Sequence, residues 1–257
     1  MEEKLARLGA LIEKAEKVVV FSGAGISTES GIPDFRGPGG VWEKHDPNDY
    51  HIDRFLNDPD ARKRYWLRST EMYQAILKTA PNPGHLAVSA LAESGKLLAL
   101  ITQNVDGLHQ DAGTPEALII ELHGNTRSVS CLSCGNHVPR QGFQPLVSAE
   151  GVAPPCAHCG GLMKPATISF GQMLVPETLQ RADSASRNCD LFIVVGSSLV
   201  VYPAAGFPLL AVESGADLVI VNNQPTPHDP YAKLVLNAPS GEVLPGALRT
   251  LPTPLPS

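Results

Sequence analysis

The sequence predicts an α/β fold in which a mostly parallel, open sheet is interrupted by two inserted segments. Short apolar runs at 18–21, 97–102, 118–122, 166–170, 191–195 and 218–221 indicate buried strands, and helix-like stretches separate several of them. By contrast, residues 37–83 form a Gly- and Pro-rich loop followed by a polar stretch, and residues 125–164 carry four cysteines with little apolar periodicity. The strands therefore define the main sheet, and the two polar segments are the insertions.

Each element follows from a local pattern along the chain. Residues 2–16 have helical periodicity and lead into the first strand. Prolines bound the polar, helical part of the first insertion, and residues 84–94 form an amphipathic helix whose apolar face we assign to Leu86, Ala90 and Leu91. Helical stretches precede the last two strands, and the Pro-rich tail, 251–257, is expected to be disordered.

Composition limits the class of protein. The 257 residues suffice for one large domain or a main domain with a smaller insert, and 43% hydrophobic residues can bury a real core. A formal net charge of −6 argues against a dedicated nucleic-acid binder. No apolar run approaches about 18 residues, so no membrane span is expected. The N-terminus lacks the basic start and apolar run of a signal peptide, and we therefore expect a cytoplasmic location.

Four of the five cysteines form two Cys-x-x-Cys pairs with 21 residues between them. Four thiolates suit a tetrahedral zinc ion, which we favour over a redox pair or two pairs of free thiols. Because four cysteines leave no open coordination position, the zinc is expected to be structural. The predicted ligands are Cys131, Cys134, Cys156 and Cys159, whereas Cys189 is expected to be a buried thiol.

The segment 18–37, VVVFSGAGISTESGIPDFRG, combines a buried strand with a glycine-rich turn. Glycines at this place, followed by a helix N-terminus, let a backbone approach the pyrophosphate of a dinucleotide. Thr28 departs from the dehydrogenase fingerprint, and no strand ending in an acidic residue follows about 20 residues later. Phe35 and Arg36 then place an aromatic ring and a cation within reach of the same loop.

Other polar motifs also begin where a predicted strand ends, which is where an open α/β sheet binds its ligands. The segment TQNVDGLH begins at Thr102, His123 ends the strand at 118–122, and Gly196-Ser197-Ser198 follows the strand at 191–195. Taken singly, an Asn/Asp-rich turn is usually only a turn, and a lone histidine is more often structural than catalytic. Their repeated occurrence at strand ends predicts one shared site.

Together these motifs resemble those of the sirtuins, the NAD-dependent protein deacylases, in their bacterial form. GAGIST-SGIPDFRG, TQNVDGLH, ELHGN, the GSS step, Asn222 and Phe170-Gly171 occur in consistent order from about 17 to 248. The resemblance implies His123 as general base, Phe170, Gly171, Gln172 and Val201 as peptide-binding residues, and a structural zinc. It also implies NAD contacts from Gly23, Ala24, Gly25, Thr28, Phe35, Arg36, Gln103, Asn104, Val105, Asp106, Gly196, Ser197, Ser198 and Asn222.

The resemblance implies a Rossmann-like NAD-binding domain (1–36, 84–124 and 165–248), a helical insert (37–83) and a zinc module (125–164), all within one catalytic unit. The implied reaction removes an acyl group, chiefly acetyl, from protein lysines. Nicotinamide leaves C1′ of the ribose, the acyl oxygen attacks that carbon, and free lysine and O-acyl-ADP-ribose result. Acylated-lysine proteins or peptides are thus the expected partners.

Some alternatives stay open at this point. Tyr65 and Arg68 lie three residues apart in a predicted helix, and a similar pair in some sirtuins binds succinyl- or malonyl-lysine, although a solvated helix face is the commoner explanation. Gln172 stands where many relatives have Glu and could alter the preference for basic peptides. A mono-ADP-ribosyltransferase, a dehydrogenase or a non-enzymatic zinc adaptor would explain parts of the pattern.

Overall fold

The computed structural model describes residues 1–37, 39–44 and 46–249, and the tail expected to be disordered, 251–257, lies outside them. The strands are β1 Val18–Ser22, β2 Leu97–Thr102, β3 Ile119–Glu121, β4 Gly124–Cys131, β5 His137–Pro139, β6 Met163–Thr167, β7 Leu191–Val195, β8 Asp217–Val221 and β9 Leu234–Leu236. The α-helices are α1 Glu2–Lys14, α2 Val41–Lys44, α3 Ile52–Asn57, α4 Pro59–Ile76, α5 Pro83–Glu93, α6 Leu108–Asp111, α7 Arg140–Phe143, α8 Pro176–Asn188, α9 Phe207–Glu213 and α10 Ser240–Leu248.

The main sheet is parallel, with six strands in the order β3-β2-β1-β7-β8-β9. Along the central strand β1, Val18 and Val20 enter one core layer while Val19 and Phe21 enter the other, as the alternation of a strand requires. Helices α1, α5 and α10 cover the first layer, and α8 and α9 cover the second. Strand order reverses between β1 and β7, so the crevice for a ligand is expected beyond the ends of these two strands.

The second sheet is small and antiparallel, in the order β5-β4-β6, and it carries the cysteines. A third apolar core lies under it and includes Trp66 of α4, Phe55 of α3 and Phe143 of α7. The Trp66 and Phe143 rings stack with their centroids 5.7 Å apart. The helical insertion and the cysteine module therefore share one core.

The expected strand at 166–170 is wrong in its bounds and in its sheet. Strand β6 is Met163–Thr167 and pairs antiparallel with β4, so residues 166–167 belong to the small sheet and residues 168–170 lie outside it. Phe170 instead forms an isolated parallel bridge with His51 of the first insertion. The apolar run overlapped a strand at two residues only, and it carried no information about which strand would be its partner.

Two further expectations need correction. Leu86 of α5 is 53% exposed, whereas Ala87, Val88 and Leu91 face the core. Asn82 caps the helix and fixes its start, and the buried row then follows the i, i+3, i+4, i+7 pattern from Gly84. After β1, the helix that was expected to follow the glycine-rich turn is a seven-residue 3₁₀ helix, Ala24–Ser30. Strand β9 and helix α10 were not predicted.

No helix in the described part of the chain is both long and apolar enough to cross a membrane.

Candidate active site

The ends of β1, β2 and β7 bring three of the predicted motifs together. The Gln103 N–H donates to the carbonyl of Ser22 at 3.0 Å, and the Gln103 side-chain amide donates to Ser197 Oγ at 2.8 Å. The Gly25 N–H donates to the carbonyl of Gly196 at 2.8 Å. These bonds join the three loops into one polar surface at the switch point of the sheet.

The glycines of the first motif are required for contact between loops. A Cβ on Gly25 would lie 2.7 Å from the Gly196 Cα, and a Cβ on Gly23 would lie 2.7 Å from the Gly196 carbonyl oxygen. Gly196 itself has a φ of 61°, and a Cβ there would collide with the backbone nitrogen of Ile26. Small residues are therefore needed whether or not a phosphate approaches, and cofactor contact by these glycines stays a prediction.

His123 follows β3 and is held against the loop of the second motif. Its Nδ1 lies 3.2 Å from the Gln103 carbonyl oxygen, which can only accept, so we assign the proton to Nδ1 and leave Nε2 unprotonated. Burial lowers the pKa of His123 from its usual 6.5, although the bond to Gln103 acts in the opposite direction. The site thus contains a neutral imidazole with a fixed tautomer and a basic nitrogen.

Asp106 is buried, and both of its carboxylate oxygens accept hydrogen bonds. Ser27 Oγ donates to Oδ2 at 2.7 Å, and the Leu108 N–H donates to Oδ1 at 2.9 Å. The Asn104 amide donates in turn to Ser27 Oγ at 3.2 Å. The Val105 carbonyl between them accepts from both the N–H and the hydroxyl of Thr126. The side chains of Asn104 and Asp106 are therefore held in fixed orientations.

Two histidines missed by the sequence reasoning lie beneath this loop. The rings of His85 and His109 are buried, with centroids 4.8 Å apart, and burial lowers the pKa of both, far below 6.5 for His109. His109 Nε2 lies 2.9 Å from Ser22 Oγ, which donates to Thr102 Oγ1 at 2.8 Å. His109 was present in TQNVDGLH, but its burial depends on packing against α5 that no local pattern reveals.

The predicted peptide-binding residues begin directly after the small sheet. Phe170 is 40% exposed, Gly171 has a φ of 75°, and a Cβ on Gly171 would collide with the His51 ring. The Gln172 side-chain oxygen accepts from the Ser169 N–H at 3.1 Å. Val201 lies separately, half-buried, in the turn after β7.

Tyr65 and Arg68 share a face of α4, as their spacing predicts, and both rest against the ring of Tyr50. Arg68 Nη2 lies 2.7 Å from Asp49 Oδ2, and this hydrogen bond lowers the pKa of Asp49. The buried Tyr65 places its hydroxyl 3.1 Å from Thr167 Oγ1. Arg68 is thus neither a freely solvated side chain nor a cation without a partner.

The other predicted cofactor residues lie around this surface. Thr28 is exposed and its hydroxyl donates to the Gly25 carbonyl, while Phe35 and Arg36 are exposed on the following loop. Asn222 follows β8, and its amide donates to the carbonyl of Gln224 at 2.7 Å. Ala24 and Ser198 are half-buried.

A cavity of about 750 Å³ lies elsewhere, between the small sheet and the β3 edge of the main sheet. Its walls include Glu121, Arg127 and Arg181, together with Gly124 and Gln172. Apart from Gln172 it contains none of the predicted cofactor or peptide residues. The motif surface at the switch point, and not this cavity, carries the candidate chemistry.

The four predicted metal ligands converge. Their sulfur atoms all lie within 4.8 Å of one another, with Cys131 and Cys159 at 3.5 Å and Cys134 and Cys156 at 3.9 Å. Four sulfurs at about 2.3 Å from one tetrahedral zinc would be about 3.8 Å apart, so the cluster fits the ion. Gly135 and Gly160 follow the two pairs with φ of 71° and 75°, as the knuckle turns require.

The fifth cysteine was predicted to be a buried thiol. Cys189 is buried, its thiol lies 3.2 Å from the Ser186 carbonyl, and burial raises its pKa to about 12. This agrees with the expected buried thiol.

An open parallel sheet with polar loops at its switch point, joined to a four-thiol module, defines a Rossmann-like protein with a structural metal site. The Sir2 family model matches residues 23–203. An NAD-dependent protein deacetylase of Rhodopseudomonas palustris is 47% identical over 93% of both chains, and an NAD-dependent protein deacylase 2 of Archaeoglobus fulgidus is 41% identical over 95% of both. The chain belongs to the Sir2 family.

Solved structures agree with this assignment. A Sir2 protein bound to an acetylated peptide has a TM-score of 0.85 at 36% identity, over 96% of this chain and 98% of that one. A Sir2 homologue in complex with NAD has a TM-score of 0.83 at 35% identity, over 95% and 92%.

Proposed function

We propose that this protein is an NAD-dependent protein lysine deacylase whose main substrates are acetylated lysines. NAD is consumed: the bond between nicotinamide and C1′ breaks, the acyl group moves to the ADP-ribose, the lysine amine is released, and one water molecule supplies the oxygen and hydrogens that complete the products. The names of the relatives support this activity. The observation that carries it is His123, a neutral base of fixed tautomer that lies against the loop bearing Gln103 and Asn104.

In this proposal His123 is the general base. Its Nε2 accepts a proton from a ribose hydroxyl, while the Gln103 carbonyl retains the proton on Nδ1. The lowered pKa keeps the imidazole neutral near pH 7, so no proton has to be lost before it can act. Phe35, exposed on the loop after the first motif, excludes water from the reacting carbon.

The chemistry of the side chains at the switch point fits NAD. Amide and hydroxyl groups suit ribose hydroxyls, the carboxylate of Asp106 suits the carboxamide, and the cation of Arg36 suits the pyrophosphate. The proposed NAD contacts are those implied by the resemblance: Gly23, Ala24, Gly25, Thr28, Phe35, Arg36, Gln103, Asn104, Val105, Asp106, Gly196, Ser197, Ser198 and Asn222. NAD supplies the electrophilic ribose carbon, and these residues bind and orient it.

The acyl preference follows from the partner of Arg68. A desuccinylase needs a guanidinium that can bind the free carboxylate of the acyl chain, but Asp49 already supplies a carboxylate to Arg68 at 2.7 Å. An acetyl group needs no such partner. The proposed peptide contacts are Phe170, Gly171, Gln172 and Val201. Tyr65 and Arg68 would support these residues without binding the acyl group themselves.

We also propose the division into a Rossmann-like domain, a helical insert and a zinc module, with a cytoplasmic location. A four-thiolate zinc site supports that location, because an oxidising compartment favours disulfides.

The test is mass spectrometry on matched acetyl-, succinyl- and malonyl-lysine peptides, with and without NAD. We expect NAD-dependent loss of the acetyl group and equal amounts of nicotinamide and O-acetyl-ADP-ribose. Transfer of ADP-ribose onto protein, or formation of reduced cofactor, would exclude the proposed reaction. Faster turnover of succinyl-lysine would overturn the acyl preference alone.

A further inference from the structure

The indole of Trp42 lies between two aromatic side chains that belong to different parts of the site. Its ring centroid is 5.2 Å from that of Phe35 and 5.8 Å from that of Phe170. Phe35 and Phe170 are 38% and 40% exposed, so each retains a face that a ligand can cover, whereas Trp42 is half-buried between them. Trp42 therefore contacts both the proposed cofactor side and the proposed peptide side.

The backbone fixes Trp42 to the loop that carries Phe35. The Trp42 N–H donates to the Phe35 carbonyl at 3.1 Å, and the Val41 N–H donates to the Asp34 carbonyl at 2.9 Å. These two bonds tie the backbone at the start of α2 to the backbone of Asp34 and Phe35, so a displacement of the Phe35 backbone is transmitted to Trp42.

The peptide side is attached to the same insertion by its own backbone bonds. The Phe170 N–H donates to the Tyr50 carbonyl at 3.1 Å, and the Ile52 N–H donates to the Phe170 carbonyl at 2.9 Å. The Tyr50 ring also packs against Trp42 with centroids 5.3 Å apart. Tyr50 and Ile52 thus reach Phe170 by a backbone bridge, and the indole of Trp42 contacts both Phe170 and Phe35.

We propose that Trp42 is a positioning residue that couples acyl-peptide binding at Phe170 to the placement of Phe35 over the NAD ribose. This inference rests on the proposed function and names a role for a residue that the motifs did not include. A ligand that orders the Phe170 ring restricts the indole, and the indole then favours one position of Phe35. The coupling must be reciprocal, because a single coupling free energy links the binding of the peptide to the binding of the cofactor.

The expected size follows from the contacts. One aromatic pair of this geometry changes an equilibrium by about two- to tenfold. We therefore expect an acetyl-lysine peptide to tighten ADP-ribose binding by a factor in this range, and ADP-ribose to tighten peptide binding equally.

The experiment is isothermal titration calorimetry with ADP-ribose, alone and at saturating acetyl-lysine peptide, a pair that cannot react because the nicotinamide is absent. Trp42→Ala should bring the ratio of the two dissociation constants to about one, while each ligand alone still binds. Trp42→Phe, which keeps a ring between Phe35 and Phe170, should retain most of the ratio. Leu146→Ala, which truncates an exposed side chain of the cysteine module, is the matched control.

A wild-type ratio of one, or an unchanged ratio in Trp42→Ala, would overturn the coupling and leave the proposed function intact. Should Trp42→Ala fail to fold, Trp42→Leu makes the same test, since it also removes the ring. Binding of neither ADP-ribose nor peptide to the wild type would instead refute the proposed function, and the inference with it.

Discussion

Replacement of His123 by asparagine removes the proposed base with little other change. The asparagine amide can still donate to the Gln103 carbonyl, as Nδ1–H of His123 does at 3.2 Å, but it offers no basic nitrogen in place of Nε2. We therefore expect His123→Asn to fold normally and to bind NAD, because the hydrogen bond that the ring makes within the protein is preserved.

The loss of activity should match that of a general base. Such groups contribute about 10²- to 10⁴-fold, which corresponds to about 2.7–5.4 kcal/mol of the activation barrier. In the wild type the lowered pKa of His123 places the acid limb of kcat/KM below 6.5, so activity is expected to be level at pH 7 and to fall as the pH drops below the pKa of the ring. His123→Asn should lose that limb together with the rate.

The assay is initial-rate formation of O-acetyl-ADP-ribose from an acetyl-lysine peptide between pH 5 and 8, with NAD affinity measured separately. His137→Asn, a change at an exposed histidine of the small sheet, is the matched control and should leave the profile unchanged. Turnover of His123→Asn within about threefold of the wild type, with the same acid limb, would refute the assignment of the base.

Three further predictions concern the metal, the acyl chain and the response to acid. Cys131→Ser should lower the zinc content below one per chain and lower the unfolding temperature, checked by elemental analysis and thermal melting; a metal-free, fully folded variant would contradict it. Arg68→Met should change deacetylation little; a fall of about tenfold or more confined to desuccinylation would mean that Arg68 does bind acyl carboxylates. The pKa of buried His109 is lowered on folding, so the unfolded chain binds more protons than the folded chain below pH 6.5. The free energy of unfolding should therefore decrease as the pH is lowered below 6.5, by up to about 1.4 kcal/mol per pH unit for this group. Denaturant unfolding at pH 7.0 and 5.5 should give a smaller loss in the free energy of unfolding for His109→Gln than for the wild type. Equal losses in the two proteins would show that His109 is not the titrating group.

The main sheet and the cysteine cluster were predictable because both depend on local patterns. The bounds of β2 and β7 agree with the apolar runs residue for residue, since a strand buried on both faces is a continuous apolar run. The four thiols converge because the spacing of each pair matches a knuckle turn. The polar motifs meet because the ends of parallel strands lie at one edge.

What the sequence did not reveal depends on contacts between distant segments. Thr167 belongs to the small sheet because it pairs with Gly124, and no property of residues 166–170 distinguishes an antiparallel partner from a parallel one. Asp49 forms an ion pair with Arg68, which lies 19 residues later in the sequence. Both residues lie in polar stretches, whose composition does not indicate which charged side chains will pair. The requirement for glycine at position 25 likewise became evident only from the structure, in which the backbone of Gly196 lies too close to leave room for a Cβ.

The zinc module matters to the chemistry because of where it joins the sheet. Strand β4 begins at Gly124, the residue after His123, and β6 ends at Thr167, three residues before Phe170. The Ile168 N–H donates to the His123 carbonyl at 2.8 Å, and a Cβ on Gly124 would collide with the Ala166 carbonyl. The two ends of the module thus hold the proposed base and the proposed peptide segment against each other. We therefore expect loss of the metal to disturb the relative position of these two segments, because Cys131, one of the four predicted ligands, is the last residue of β4.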